Sequence, residues 1–285
     1  MRIRIGSRES ALAVAQAKIL IEHLERRGFD AQLVTMKTTG DIIFDQTLDK
    51  IGGKGLFVKE LDRALIDGAV DLTVHSLKDV PTQTDDRLPL AAVSRREDPR
   101  DALILPQGEN EFDAKKPVGC SSARRALQLK ALFPGVEVRP IRGNVITRLG
   151  KVDGGEYSAI VLAAAGLNRL GLSARISRLF EPWEMLPAPC QGILAVQSRQ
   201  GFDTGIFEGF HCHEAFDASV AERSFVKALN GGCSSPVAAY AEISGEDLRL
   251  TGLNTDDNGA ARRCTLTCAR GDAENAGIML AAQLA

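Results

Sequence analysis

Short apolar runs separated by stretches of helical period set the rhythm of this chain, the pattern of sheets covered by helices. Ile3 to Gly6 reads as a strand. Ser10 then caps a helix that runs to Arg27 and is closed by Gly28. Ala31 to Lys37 alternates as a second strand, Leu56 to Ile66 is helical, and Val70 to His75 is β-branched enough for a buried strand, with Pro81 ending any helix beyond it. Tyr157 to Ala164 is another buried strand. Proline-rich Pro182 to Pro189 reads as a crossing between domains, which Ile193 to Gln197 completes by returning as a strand to the first. A helix from Glu214 to Leu229 follows. Then Val237 to Ile243, Leu248 to Leu253 and Arg262 to Cys268, separated by turns at 244–246 and 256–259, predict an antiparallel meander packed on helices.

The composition leaves this α/β picture intact and removes some functions. At 285 residues the chain has room for two or three domains. Its net charge of −2 supplies no global basic field, so no nucleic acid partner is expected and any anion site must come from local clustering. The N-terminus enters a strand pattern without a signal-peptide core, and the longest apolar run, 159–167, is far too short to span a membrane. A cytoplasmic protein with no membrane partner is expected. None of the six cysteines has C-x-x-C spacing. Cys264 and Cys268 share one face of a strand as small core residues, and His211-Cys212-His213-Glu214 reads as the start of a helix rather than a metal site.

Candidate chemistry gathers at three places. Lys78 and Asp79 stand side by side just past the carboxyl end of the 70–75 strand, where open α/β sheets bind ligands. A carboxylate there can hold a cationic intermediate and move protons, although an ion pair in a surface loop is the plainer reading of these two residues alone. Gly52-Gly-Lys-Gly55 lacks the hydroxyl residue after lysine that a nucleotide P-loop needs, which leaves a lid or an anion contact at a helix start. Between Arg95 and Arg178 there are eleven arginines against four lysines, a bias toward planar forks that grip carboxylates or phosphates. The sharpest groups, 119–125 and 139–148, both run from apolar strand through a small-residue turn into a helix, so that backbone N–H and guanidinium groups converge on a polyanion site.

Taken together, Gly6-Ser-Arg-Glu-Ser-Ala-Leu-Ala13, Gly52-Gly-Lys-Gly-Leu-Phe-Val-Lys-Glu60, His75-Ser-Leu-Lys-Asp-Val-Pro81, Arg96-Glu-Asp-Pro-Arg-Asp101, Ser121-Ser-Ala-Arg-Arg125, Arg142-Gly-Asn-Val145 with Thr147-Arg-Leu149, Ala165-Gly-Leu-Asn-Arg-Leu-Gly171 and Gly231-Gly-Cys233 resemble the porphobilinogen deaminase (hydroxymethylbilane synthase) family, in its order and over nearly the whole chain. The resemblance implies three domains: two doubly wound domains like type II periplasmic binding proteins, at 1–94 with 192–210 and at 98–187, and a C-terminal α+β domain at 213–285 with a three-stranded antiparallel sheet. It implies a transferase, acting as a monomer, that condenses four porphobilinogen molecules head to tail with release of ammonia. It also implies a covalent dipyrromethane cofactor on Cys233, held by Lys78, Ser122, Arg124, Arg125 and Arg148. Substrate carboxylates would meet Arg8, Ser10, Arg142, Arg148 and Arg169, Asp79 would be the catalytic group, and Lys50 and Lys54 would belong to a lid. No metal is implied, and His75 is left as a core or hydrogen-bonding histidine.

The chain departs from the family pattern at Cys120, where threonine is common, and at Cys190, where glycine is common. Two other readings stand beside this one: a non-catalytic binder of a small anion, and a phosphate-handling transferase using 52–55.

Overall fold

The computed structural model of the chain describes residues 2–38, 58–113, 115–231 and 235–285. They form two compact units, one of 1–97 with 193–216 and one of 98–192 with 217–285.

The first unit is built on a five-stranded sheet in the order β2-β1-β3-β10-β4. Its strands are β1 (Arg2–Arg8), β2 (Asp30–Met36), β3 (Leu72–Ser76), β4 (Leu90–Val93) and β10 (Leu194–Ser198). β2, β1 and β3 are parallel, and β10 is antiparallel to both β3 and β4, so the segment predicted to return to the first domain does join this sheet. Helix α1 (Ala11–Arg26) begins where predicted, with the Ser10 hydroxyl accepting from the Ala13 N–H, and Gly28 beyond its end takes φ 85. Leu20 and Leu24 of α1 pack on Ile3, Ile5, Leu72 and Val74 of the sheet. Helix α2 (Lys59–Ile66) buries Leu61 and Leu65, and Leu65 meets Val70 and Leu88 in a separate cluster.

The second unit carries two sheets. One has the order β7-β6-β8-β5-β9, from β5 (Asp101–Ile104), β6 (Val118–Gly119), β7 (Val138–Arg139), β8 (Ala159–Ala163) and β9 (Arg178–Phe180). The unbroken apolar runs of β5 and β8 have a simple cause. Ala102, Ile104, Ile160 and Leu162 enter one core cluster while Leu103, Leu105, Ala159 and Val161 enter another, so both faces of the sheet are buried and no polar alternation survives. Helices α3 (Ala123–Leu132), α4 (Val145–Asp153) and α5 (Ala164–Arg169) follow β6, β7 and β8 in turn.

The other sheet is the predicted meander, β11 (Ala238–Ser244), β12 (Asp247–Thr255) and β13 (Ala261–Ala269), antiparallel throughout. One face packs Ala239, Ala241, Leu248, Leu250 and Leu266 against α6 (His213–Ala228) and α7 (Ala273–Leu284). Cys264 and Cys268 join that face, as their spacing predicts, and the His211-to-Glu214 stretch leads into α6. The two helices approach closely enough that a Cβ on Gly277 would stand 2.5 Å from the Ala221 carbonyl oxygen and 2.6 Å from the Phe225 nitrogen. Both obstacles are backbone, so neither can rotate away.

Gly277→Ala is therefore expected to destabilise the protein by about 1–3 kcal/mol, read as a lowered urea midpoint. Gly271→Ala, where nothing lies within 4 Å of the added methyl, should leave the midpoint unchanged. Equal midpoints for the two variants would contradict the close crossing.

Candidate active site

In the first unit, parallel pairing sets the chemistry-bearing ends side by side. β1 and β3 run in register as Ile5↔Leu72 and Gly6↔Thr73, so the ends of both strands lie on one edge, with Arg8 closing β1 and Ser76 closing β3. The Gln16 amide donates to the Ser76 hydroxyl at 2.7 Å, which ties α1 to that edge. Beyond Ser76 the chain makes one 3-10 turn, Leu77–Asp79. Fully buried Leu77 anchors it, its N–H donating to the Ile193 carbonyl at 2.9 Å while the Val80 N–H donates to the Leu77 carbonyl at 3.1 Å. Lys78 is then half-buried and Asp79 exposed on a rigid turn. Arg8, Ser10, Lys78 and Asp79 are thus brought to the same edge of one sheet.

His75 sits just before this turn, buried, with Nε2 2.9 Å from the Thr73 hydroxyl. Burial first, and the Arg8 charge second, push its pKa down to about 4. It stays neutral near pH 7, a structural partner to the strand rather than a proton carrier there.

In the second unit β7, β6 and β8 are parallel, so α3, α4 and α5 all begin at one edge of their sheet. Side chains cap the first two starts. The Ser122 hydroxyl accepts from the Arg125 N–H at 3.4 Å, and the Asn144 side chain accepts from the Thr147 N–H at 3.0 Å. The Ser121 hydroxyl laces the two turns together, donating to the Ile141 carbonyl at 2.7 Å and accepting from the Ile141 N–H at 2.9 Å. Gly143 takes φ 113, and a Cβ there would lie 2.6 Å from Thr147 Cγ2, so this turn needs glycine. Arg148 donates from Nε to the Gly143 carbonyl at 2.8 Å, Arg169 from Nη2 to the Gly192 carbonyl at 2.5 Å, and Arg142 follows buried Ile141. Half-buried guanidinium groups of Arg142, Arg148 and Arg169 therefore gather at an edge already positive from its helix N-termini.

Arg124 and Arg125 differ from these. They are 4% and 8% exposed and both grip Asp101, which is 0% exposed. Arg124 Nη1 donates to Oδ2 at 2.6 Å, while Arg125 donates from Nε and Nη2 to Oδ1 at 2.9 and 2.7 Å. The Gln191 amide adds a bond to Oδ1 at 3.0 Å, and the arginines reach on to the Leu186 and Val161 carbonyls. Burial alone would raise the Asp101 carboxyl, but the charges of Arg124 and Arg125 overcome it and hold the group well below the usual carboxylate range. Two guanidinium groups on one carboxylate leave a net positive charge of one. Reading the sequence placed the two arginines and missed Asp101 and Gln191, because nothing in a spacing of 23 residues reveals a pairing made through a sheet. Asp101 did lie within the matched 96–101 stretch, the only signal of it.

Lys50, Lys54, the 52–55 loop and Cys233 lie outside the described residues. Cys120 is buried at the end of β6, its thiol 3.6 Å from the Ser122 carbonyl. Cys190 takes φ 62, a left-handed conformation in which glycine is at ease and a side chain is not. Among the described residues, no group of His, Cys, Asp and Glu could hold a metal ion, and no helix is long and apolar enough to cross a membrane.

Residues 3–206 match the family described as porphobilinogen deaminase, dipyrromethane cofactor binding domain, and residues 216–285 match porphobilinogen deaminase, C-terminal domain. The chain is 60% identical over its whole length to porphobilinogen deaminase of Acetivibrio thermocellus, covering 98% of that protein. It is 59% identical, again over its whole length, to that of Alkaliphilus oremlandii, covering 97%. Among solved structures it is similar to an ABC-transporter periplasmic substrate-binding protein from Coxiella burnetii, with TM-score 0.47 and 12% identity over 77% of this chain and 96% of that one.

Asp101→Asn should destabilise the second unit by about 3–5 kcal/mol at pH 7, because it strands two buried guanidinium groups. The sign with pH follows from a depressed carboxyl: the stabilisation is present above the unfolded-state pKa of about 3.9 and is lost as pH falls below it. Urea unfolding of wild type and variant at pH 7 checks this, and matching midpoints would overturn the role given to Asp101.

Proposed function

The chain belongs to the porphobilinogen deaminase family, and on that premise we propose that it condenses four porphobilinogen molecules head to tail, releasing ammonia each time, to give hydroxymethylbilane on a covalent dipyrromethane primer. It is a transferase of tetrapyrrole synthesis with dipyrromethane as its cofactor. The observation that carries the finer reading is the placement of Asp79, an exposed carboxylate on a turn made rigid by buried Leu77, at the carboxyl edge of its sheet.

The second unit's donor set fits a polycarboxylate. Arg142, Arg148 and Arg169 stand with three helix starts, and the Asp101 node keeps a net positive charge at the same edge, level with Ala163 at the end of β8. Arg142, Arg148 and Arg169 would hold acetate and propionate groups. Ser122 would add a hydroxyl, and Arg124 and Arg125 would contribute mainly their surplus charge, since Asp101 already occupies their donors. Arg8, Ser10 and Lys78 would serve the same purpose in the first unit. When bound, dipyrromethane supplies the pyrrole carbon that takes on each new unit, and Cys233 would be its thioether anchor. Asp79 would stabilise the cation left when porphobilinogen loses ammonia and would accept and return pyrrole protons. Lys50 and Lys54 would serve as lid residues over the bound chain. The segments 1–94 with 192–210, 98–187 and 213–285 would act as three domains of a cytoplasmic monomer with no nucleic acid or membrane partner.

Asp79→Asn keeps the shape and removes the charge, so turnover of porphobilinogen should fall about a hundredfold or more, on the order of 3 kcal/mol. Activity within a few-fold of wild type would remove Asp79 from this role.

Intact mass tests the cofactor. The purified protein should exceed its sequence mass by two condensed pyrrole units that survive denaturation and colour with Ehrlich's reagent. Cys233→Ser should lose the added mass and most activity. An active wild type with the bare sequence mass would sink the proposal.

A further inference from the structure

Arg142 stands in a turn whose backbone is held on both sides by groups from other parts of the second unit. The Arg139 carbonyl accepts from the Cys120 N–H at 2.8 Å, which continues the pairing of β6 with β7. The Pro140 carbonyl accepts from the Tyr157 hydroxyl at 2.8 Å. At Ile141 the Ser121 hydroxyl takes both backbone groups, accepting from the N–H at 2.9 Å and donating to the carbonyl at 2.7 Å. Beyond Arg142, the Gly143 carbonyl accepts from Arg148 Nε at 2.8 Å. Strand pairing accounts for the first of these bonds. The two hydroxyls come from residues outside any helix or strand, Ser121 ahead of α3 and Tyr157 ahead of β8.

Tyr157 is seated for this contact. Its ring packs on the core cluster that contains Ile141, Leu149 and Ile160. A Cβ on Gly119 would stand 2.9 Å from Tyr157 Cδ1, so glycine at the end of β6 leaves the slot that the ring fills. A phenol carries its hydroxyl at the end of a rigid ring, and fixing the ring fixes the donor. Burial, and then the Glu156 charge, push its pKa up, so it keeps its proton at neutral pH. That one proton goes to Pro140, and the one proton of Ser121 goes to Ile141, which leaves neither hydroxyl a donor for a carboxylate. Ser122 differs from its neighbour: among the described residues its hydroxyl only accepts, from the Arg125 N–H, and its proton stays free for a ligand.

We propose that Tyr157 and Ser121 are positioning residues for Arg142, holding the 140–141 backbone so that the guanidinium is already placed when a porphobilinogen carboxylate arrives. This rests on the substrate role proposed above for Arg142. A long side chain on a mobile turn loses affinity to the ordering of both, whereas a fixed turn leaves only the side chain to order.

Tyr157→Phe keeps the ring in its slot and removes only the hydroxyl. In the purified holoenzyme it should raise KM for porphobilinogen about three- to tenfold, the effect of one hydrogen bond. The change in kcat should stay within about twofold, because a carboxylate held equally before and during reaction affects binding alone. Ser121→Ala, which releases both Ile141 backbone groups, should raise KM further, and Ser121→Thr, which keeps the hydroxyl, should restore it to within about twofold. Hydrogen exchange adds a readout independent of turnover: the Ile141 amide should exchange about tenfold or more faster in Ser121→Ala and stay protected in Ser121→Thr. In an Arg142→Leu background, Tyr157→Phe should add nothing to the loss in kcat/KM. Wild-type KM in both Tyr157→Phe and Ser121→Ala would overturn the proposal, as would effects that multiply in full on that of Arg142→Leu. An Arg142→Leu enzyme with wild-type kcat/KM would instead remove Arg142 from its substrate role, and this proposal with it.

Discussion

One buried carboxylate organises the second unit. Asp101 starts β5, and through it are joined α3 by Arg124 and Arg125, the post-β9 segment by the Leu186 carbonyl, β8 by the Val161 carbonyl and the 191 loop by Gln191. Its desolvation would be costly if it stood alone, and so would that of either arginine. The three are tolerable only as a set, so β5, α3 and β8 hold a fixed relation. Since Asp101 pairs with Ala163 across the sheet, the set lies at the edge where α3, α4 and α5 begin. The turns that carry Ser122, Arg142 and Arg148 are fixed to it and to each other through Ser121.

The first unit uses the same device elsewhere. Asp71, 5% exposed, accepts from Arg4 at 2.8 and 3.0 Å and from Arg199 at 3.3 Å, while Arg199 also donates to the Leu65 and Val70 carbonyls. Asp71 precedes β3, whereas Lys78 and Asp79 follow it, so here the buried charges stand at the opposite end of the strand from the chemistry. In the second unit the node instead adds its surplus charge to the edge that would hold carboxylates.

A third buried carboxylate ties the third sheet to the rest of its unit. Glu222 of α6, 0% exposed, accepts from the Ala241 N–H of β11 at 2.7 Å and from the Cys190 N–H at 2.5 Å. The Cys190 backbone that donates is the one held at φ 62, so the crossing loop adopts a left-handed turn with a side chain present and keeps it through this bond. The Cys190 side chain is itself buried, its sulfur 3.9 Å from the Ser219 carbonyl.

Local pattern by itself determined the elements: the Ser10 cap and Gly28 stop of α1, the β3 strand ending before Lys78, the three strands after α6, and the placing of arginines at helix starts. These follow from backbone preferences and side-chain periods that act over a few residues. Motif order over the whole chain carried the family. What only the tertiary structure decided was which charges are spent. Arg124 and Arg142 look alike in sequence, yet one is buried on Asp101 and the other stands half-buried after Ile141. Likewise Trp183 and Arg263 lie 80 residues apart and meet only because β13 passes the post-β9 turn. Burial and partner choice depend on residues brought together by sheet register, and a low-dielectric neighbourhood decides whether a guanidinium is a structural tie or a ligand anchor.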